Sequence, residues 1–276
     1  MEDLKALMAK YPDASVFGDT TTRSELLWMF MMYSGSQFVN RETGKCSFDS
    51  QEFVDLLEFM KQFPEEFDYS ALPDDYWMNS QKAYRDGKIL LMSLNISDVE
   101  NYITNVGMFG EPVTLIGFPA KEGNGAVITP NNVYMISSKS KNPDGAWQFL
   151  RYYLTDEYQK DSNDSWTLPI KKDALKEKIN KGTEKPYWIN SDGGKEYYEY
   201  TAWLGDEEVT LDPLTQEQAD DLYNYICSVT QAYYSDDSLS NIITEESAAF
   251  FSGQKSAQDV ADIIQSRAQI YINESR

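Results

Sequence analysis

The sequence of 276 residues contains no histidine. That absence closes the commonest routes to catalysis: there is no Ser-His-Asp or Cys-His nucleophile, no His-ligated zinc or haem, and no imidazole base. Carboxylate, Lys and Tyr chemistry remain. Cysteine is almost as scarce. Cys46 and Cys227, far apart in the chain, exclude a disulfide framework and read as incidental thiols. Positive charge is also short, with 24 Lys+Arg against 45 Asp+Glu, a formal net charge of −21 and an isoelectric point near 4.3. Contacts to phosphate would work against this field, so nucleic acid and anionic membrane surfaces are set aside as partners. A run of about 18 or more apolar residues is missing; the richest, Leu26 to Tyr33, is eight long. The opening Met1-Glu2-Asp3-Leu4-Lys5 lacks a basic stretch followed by an apolar one. A signal peptide is therefore not expected in it, and the protein is either cytosolic or begins here downstream of an export signal.

What is present suits a folded protein. The apolar fraction is 41%, enough for one large core or two smaller ones. Aromatic residues reach 14%, with 19 Tyr, 13 Phe and 6 Trp. That is more flat amphipathic surface than a core of this size needs, and part of it is expected to face a ligand.

Helix signals are strong. At Phe48 to Phe53, Asp49 can cap, Glu52 closes a capping box, and Phe48 with Phe53 stand at staple positions; Leu56, Leu57, Met60 and Phe63 follow at helical spacing until Pro64. Asn142-Pro143-Asp144 starts a second helix expected to carry Trp147, Leu150 and Leu154 inward. Thr215 with Gln218 begins a third, Ser238 a fourth ending at Gly253, and Ser256 with Asp259 a last one through Tyr271. Strand signals fall in the middle, at Lys88–Met92, Val113–Gly117 and Val133–Ile136. Short apolar runs between helices predict a buried, largely parallel sheet, and so an α/β class weighted to helix. Gly123-Asn124-Gly125 and residues 180–195 are expected to be exposed loops.

Motifs for chemistry are few. Ser252 to Ser256 superficially resembles a phosphate-binding loop, but it lacks the Gly-Lys pair and lies between two helices. Neighbouring acids such as Asp74-Asp75 and Asp236-Asp237 point apart on any element and read as solvated surface. A carboxylate pair about 5–9 Å apart could run a glycosidase, but no residue is nominated, so a carbohydrate-active enzyme and a helical interaction module remain alternative readings. The aromatics allow something more concrete. Trp28, Trp166 and Trp203 each stand beside polar residues and could stack on sugar rings, against a competing role in core packing.

Several stretches together resemble the extracellular solute-binding proteins that feed ABC importers, of the group that includes the maltose-binding protein. Ala83 to Met92 is similar to the family's Gly-Lys strand entry. Gly117-Phe118-Pro119, Val133–Ile136 and Ser138 to Leu150 resemble its signature ending in an Ala-Trp-x-Phe-Leu helix. Leu168 to Lys172 resembles the Leu-Pro segment, and Ala249 to Glu274 the closing helices of lipoprotein members. The resemblance implies a type II periplasmic-binding-protein-like fold, no catalysis and no cofactor. It implies capture of a solute, most often a carbohydrate, between two lobes that close about a hinge, with ABC permease subunits as partners and a lipid-anchored extracellular location. Members usually open with a signal peptide, a lipid-attachment cysteine and most of the first lobe, so the chain is expected to be truncated at its N-terminus. Residues 1–112 and 171–276 are then expected to build lobe two, with 113–170 crossing the hinge as a fragment of lobe one. That fragment should expose apolar surface, pair with another copy or be rearranged, and ligand binding by this chain should be weak.

The resemblance also nominates the pocket. Glu25 and Trp28 correspond to the face of a lobe-two helix that lines the cleft, and Asn95 to a turn after the Gly87–Met92 strand. Trp166 precedes the Leu-Pro segment, Trp203 lies past an aromatic stretch, and Asn131 and Asn132 would reach in from the lobe-one fragment. At Leu94-Asn95 many sugar binders carry a Gly-Pro-Trp turn; its absence counts against a maltose-like ligand. No metal ligands are nominated.

Overall fold

A computed structural model describes residues 2–18, 20–120, 123–130, 132–161 and 167–275. In chain order its elements are α1 (Glu2–Lys10), α2 (Arg23–Ser34), β1 (Val39–Asn40), β2 (Lys45–Cys46), α3 (Gln51–Met60), α4 (Tyr76–Arg85), α5 (Val99–Gly107) and α6 (Pro143–Leu150). They continue with α7 (Asp156–Asp161), α8 (Lys172–Lys181), β3 (Tyr187–Ile189), β4 (Lys195–Tyr197), β5 (Tyr200–Leu204), β6 (Glu207–Leu211), α9 (Gln216–Ser228), α10 (Asp237–Phe251) and α11 (Ala257–Glu274). The chain divides into two compact units, one of residues 1–72, 116–130 and 229–276, the other of 73–115 and 131–228.

The first unit is helical. Its core joins Leu26, Leu27 and Phe30 of α2, Phe53, Leu57 and Met60 of α3, Ile243 and Phe250 of α10, and Val260, Ile264 and Ala268 of α11. The staple at the start of α3 forms, with Phe48 and Phe53 packed edge to face at 5.1 Å. The cap does not form as expected: Ser50, not Asp49, is the N-cap, and its side chain makes no capping bond. Two glutamines one turn apart on α11 bind the extended segment 44–48. The Phe48 N–H donates to Gln265 Oε1 at 2.7 Å and Gln265 Nε2 donates to the Cys46 carbonyl at 3.0 Å. One turn later the Cys46 N–H donates to Gln269 Oε1 at 3.0 Å, and Gln269 Nε2 donates to the Gly44 carbonyl at 2.7 Å. Side chains here do the work of a neighbouring strand, satisfying backbone groups that burial would otherwise leave without partners.

Residues 116–120 and 123–130 are held in this unit by Phe118. Its ring stacks on Tyr33 at 5.0 Å and on Phe17 at 5.9 Å, and meets Phe30 edge-on at 4.9 Å. The Phe118 N–H donates to the Gly125 carbonyl at 2.8 Å. Gly125 has φ +69, and a Cβ there would lie 2.0 Å from the Phe118 carbonyl oxygen, so only glycine fits this turn. Ile128 forms a single parallel bridge with Ala232.

The second unit packs α5 on the hairpin β5–β6 and α8 on α9, around one buried cluster. Val99, Tyr102, Ile103, Leu175, Ile179, Tyr200, Ala202, Leu204, Leu211 and Leu222 form its buried cluster. Among the described residues the sheets are three antiparallel pairs, β1–β2, β3–β4 and β5–β6. The mixed helix and strand content agrees with the expected class, but the predicted parallel sheet is not found there. None of Lys88–Met92, Val113–Gly117 and Val133–Ile136 belongs to a named strand. Met92, Leu94, Ile96, Val113 and Leu115 nevertheless pack on the buried cluster at every second position. Their alternation sets an extended conformation and a buried face; a ladder needs a neighbouring chain as well, which an apolar run cannot specify. Residues 180–195, expected as loop, contain β3 and the turn into β4.

The helix at Asn142 forms with its cap, the Gly145 N–H donating to Asn142 Oδ1 at 3.0 Å and Pro143 in the first turn. Its inward face does not materialise: α6 has no buried residue, and Trp147, Phe149 and Leu154 are exposed. Val133, Tyr134 and Met135 are exposed as well, Met135 at 85%.

Candidate functional site

In the first unit, α2 begins at Thr22, which accepts from the Glu25 N–H at 3.3 Å. Glu25 Oε2 in return accepts from the Thr22 N–H at 2.8 Å and from its hydroxyl at 3.0 Å. Glu25 thus closes a capping box, an occupation that sequence reading passed over because Thr22-x-x-Glu25 was not recognised as that signal. With Leu26, Leu27 and Phe30 turned into the core, Trp28 is left outside at 53% exposure, one turn from Glu25 on the same face.

In the second unit the period of two decides which side chains emerge. Leu94 and Ile96 pack inward, leaving Asn95 exposed between them. On β5, Tyr200, Ala202 and Leu204 are buried, and Trp203 stands outside at 56% exposure opposite Glu208 of β6. Asn132 is exposed. Among the described residues no hydrogen bond or ring contact joins Asn95, Asn132 and Trp203. Asn131 and Trp166 lie outside the described residues.

Sequence reading missed the ribbon β3–β4. The pairs Tyr187 with Tyr197, Trp188 with Glu196 and Ile189 with Lys195 build it, and every one of these six side chains is exposed. Trp188 Nε1 donates to Glu196 Oε2 at 2.7 Å and Asn190 Nδ2 donates to Glu196 Oε1 at 3.0 Å. The alternation flanking Asn190-Ser191-Asp192-Gly193-Gly194 was the available signal, a turn between two short aromatic runs.

Among the described residues, every carboxylate with a resolved shift is held below its ordinary range. Glu196 is held there by the bonds from Asn190 and Trp188, and Asp236 by Arg41, Tyr271 and the Leu239 N–H against its partial burial. Tyr200, buried and near Tyr198, Glu100 and Asp98, is pushed up to about 12. Ionised carboxylates and neutral phenols are hydrogen-bonding groups at neutral pH. No cluster of three or more acids or cysteines arranged for a metal occurs among the described residues. Two surface depressions, one lined by Lys5, Asp55, Glu58, Phe59 and Gln62, the other by Asp173, Lys176, Glu177, Asn180, Lys181 and Glu184, contain none of the nominated residues.

Residues 1–186 match the family model of the bacterial extracellular solute-binding proteins. The chain belongs to that family. The match spans α1 to α8, so the two aromatic hairpins β3–β4 and β5–β6 lie beyond the matched residues. No curated protein matches the chain. Membership implies a substrate-binding component of an ABC transporter that works outside the cytoplasm, with a small-molecule solute and permease subunits as partners; family members are typically not enzymes. No helix among the described residues is long and apolar enough to cross a membrane.

Proposed function

We propose that this solute-binding protein takes up a neutral carbohydrate. The observation that carries the reading is a pair of exposed tryptophans, Trp28 on α2 and Trp203 on β5, each with a carboxylate beside it, Glu25 one turn away and Glu208 directly across the strand. An indole face stacks on the apolar face of a sugar ring while an ionised carboxylate accepts from its hydroxyls. A chain of net charge −21 repels anionic solutes and leaves neutral ones unopposed.

We extend the reading to the maltose-binding-like, type II form of the fold, lipid-anchored at the cell surface, with 113–170 as the segment that crosses the hinge. In support, Gly117-Phe118-Pro119 and Ser138 to Leu150 resemble the family's signature for this stretch. Asn95, Asn131, Asn132 and Trp166 complete the proposed ligand contacts. The exposed apolar side chains of 133–154 support self-association through this segment. Light scattering should then show dimers at high protein concentration, and a monomer throughout overturns that part.

Calorimetry against mono- and oligosaccharides tests the solute. Weak heats are expected with at least one neutral sugar, reduced in Trp28→Ala and Trp203→Ala. Heats with amino acids or peptides and none with any sugar would overturn the carbohydrate reading and leave the family membership standing.

A further inference from the structure

We propose that the β3–β4 ribbon is a second carbohydrate site, a stacking platform on which the Trp188 indole carries a ring of a neutral glycan while Glu196 accepts from its hydroxyls. The ligand class rests on the carbohydrate reading above; the location rests on the ribbon alone.

Cross-strand packing accounts for only part of the ribbon's aromatics: Tyr187 meets Tyr197 edge to face at 5.7 Å, while Trp188 faces Glu196 across the strands. Tyr187, Trp188, Ile189 and Tyr197 are exposed, Trp188 at 58%, and solvent reaches both faces of the pair. A two-stranded ribbon wet on both sides gains little from apolar side chains unless something covers them. The faces differ in availability. On one, the Lys195 ammonium sits 3.8 Å from the centre of the Tyr187 ring and occupies it. On the other, Trp188 is open and held in place. Its N–H is bonded to Glu196, Glu196 is bonded by Asn190, and Asn190 Oδ1 accepts from the Asp192 and Gly194 N–H groups at 3.1 and 2.8 Å.

This chain of bonds fixes the edge of the indole to the turn backbone and leaves its face free, so little side-chain freedom remains to be lost on binding. Each Glu196 oxygen accepts one bond in the described structure and retains a lone pair for a hydroxyl donor. Tyr198 extends the surface, its ring 6.3 Å from that of Trp188 and inclined by 33°. Its hydroxyl donates to Glu100 of α5 at 3.3 Å, tying the platform to the unit beneath. Rings edged by ionised acceptors suit a neutral polyhydroxyl chain better than an apolar protein face, which would leave those acceptors desolvated.

The test is electrophoresis of the intact chain through gels containing soluble starch, mixed-linkage β-glucan or xylan, beside calorimetry with small sugars. Retardation by at least one polysaccharide is expected, with about tenfold weaker binding in Trp188→Ala, about 1.4 kcal/mol. A smaller loss is expected in Glu196→Gln and none in Trp77→Ala, which removes an exposed tryptophan of α4 that has no part in either proposed site. Because Trp188 is exposed, its removal should leave the unfolding midpoint unchanged, which separates lost binding from lost folding. Absence of retardation in every gel, retardation indifferent to Trp188→Ala, or equal loss in Trp77→Ala each overturns the platform. A dimer that Trp188→Ala dissolves overturns it too, by assigning the ribbon to a second copy. Trp188-dependent retardation without any small-sugar heat upholds the platform while the solute reading falls; small-sugar heat without retardation does the reverse.

Discussion

Helices α6 and α11 carry the same kind of sequence and meet opposite fates. Both open on a side-chain cap, Asn142 bonded to the Gly145 N–H and Ser256 to the Asp259 N–H, and both space apolar residues along one face. On α11 that face is shut into the core, with Val260, Ala261, Ile264 and Ala268 fully buried. On α6 nothing is buried, and Trp147 and Phe149 are exposed at 48% and 67%. Local signals decide that a helix forms and which side is apolar; whether anything covers that side is decided by distant chain.

The sharpest way to break this contrast is to empty a core position. Ile264→Ala removes a side chain with no solvent exposure from the α11 face and should cost about 2–5 kcal/mol in chemical denaturation. A cost under about 1 kcal/mol would mean that α11 is no better packed than α6.

Asp236 sets the next step, because it ties α11 to its neighbour in a way that α6 lacks. It caps α10 through the Leu239 N–H at 3.1 Å and accepts from Tyr271 of α11 at 2.8 Å and from Arg41 at 2.9 Å. Asp236→Ala should cost about 1–2 kcal/mol, mostly the cap, since the Arg41 partner is largely exposed. The depressed folded pKa of this carboxyl fixes the sign with pH. Its contribution is present above the ordinary value near 4 and is lost as pH falls through the lower folded value. Denaturation midpoints measured from neutral pH into acid should therefore fall more steeply below about pH 4 in the wild type than in Asp236→Asn.

Caps test the contrast directly, because the motif is shared. Ser256→Ala should lower global stability by about 1 kcal/mol, since α11 unfolds with its core. Asn142→Ala should fray α6 locally, visible in amide exchange, with a smaller shift of the global transition.

How much was legible follows the same division between local and distant. The caps at Asn142, Thr215 and Ser256 and the staple of Phe48 and Phe53 were readable because each lies within one helical turn. The clasp of Gln265 and Gln269 on residues 44–48 was not, because its partners lie at opposite ends of the chain. The apolar runs at 88–92 and 113–117 showed which faces would be buried and not which chain, if any, would pair with them. At the site, the outward turn of Trp203 follows from alternation on β5, whereas Glu25 was nominated for a ligand without notice of its bond to Thr22. Trp188 went unnoticed because its fixed orientation comes from Glu196 and Asn190 across a turn, a relation that exists only once the strands pair.

The smallest effect is also the most telling for α6. If its apolar face is uncovered, Trp147→Ala removes surface that folding never buried, and the unfolding free energy should move by no more than about 0.5 kcal/mol. The same substitution should weaken concentration-dependent self-association, since it takes an aromatic ring from the exposed patch. A loss of about 3–5 kcal/mol, the cost expected for a core tryptophan, would show that the face is covered in solution and erase the contrast with α11. Unchanged stability together with unchanged self-association would confine the sticky surface to Val133–Ile136, where Met135→Lys becomes the discriminating variant.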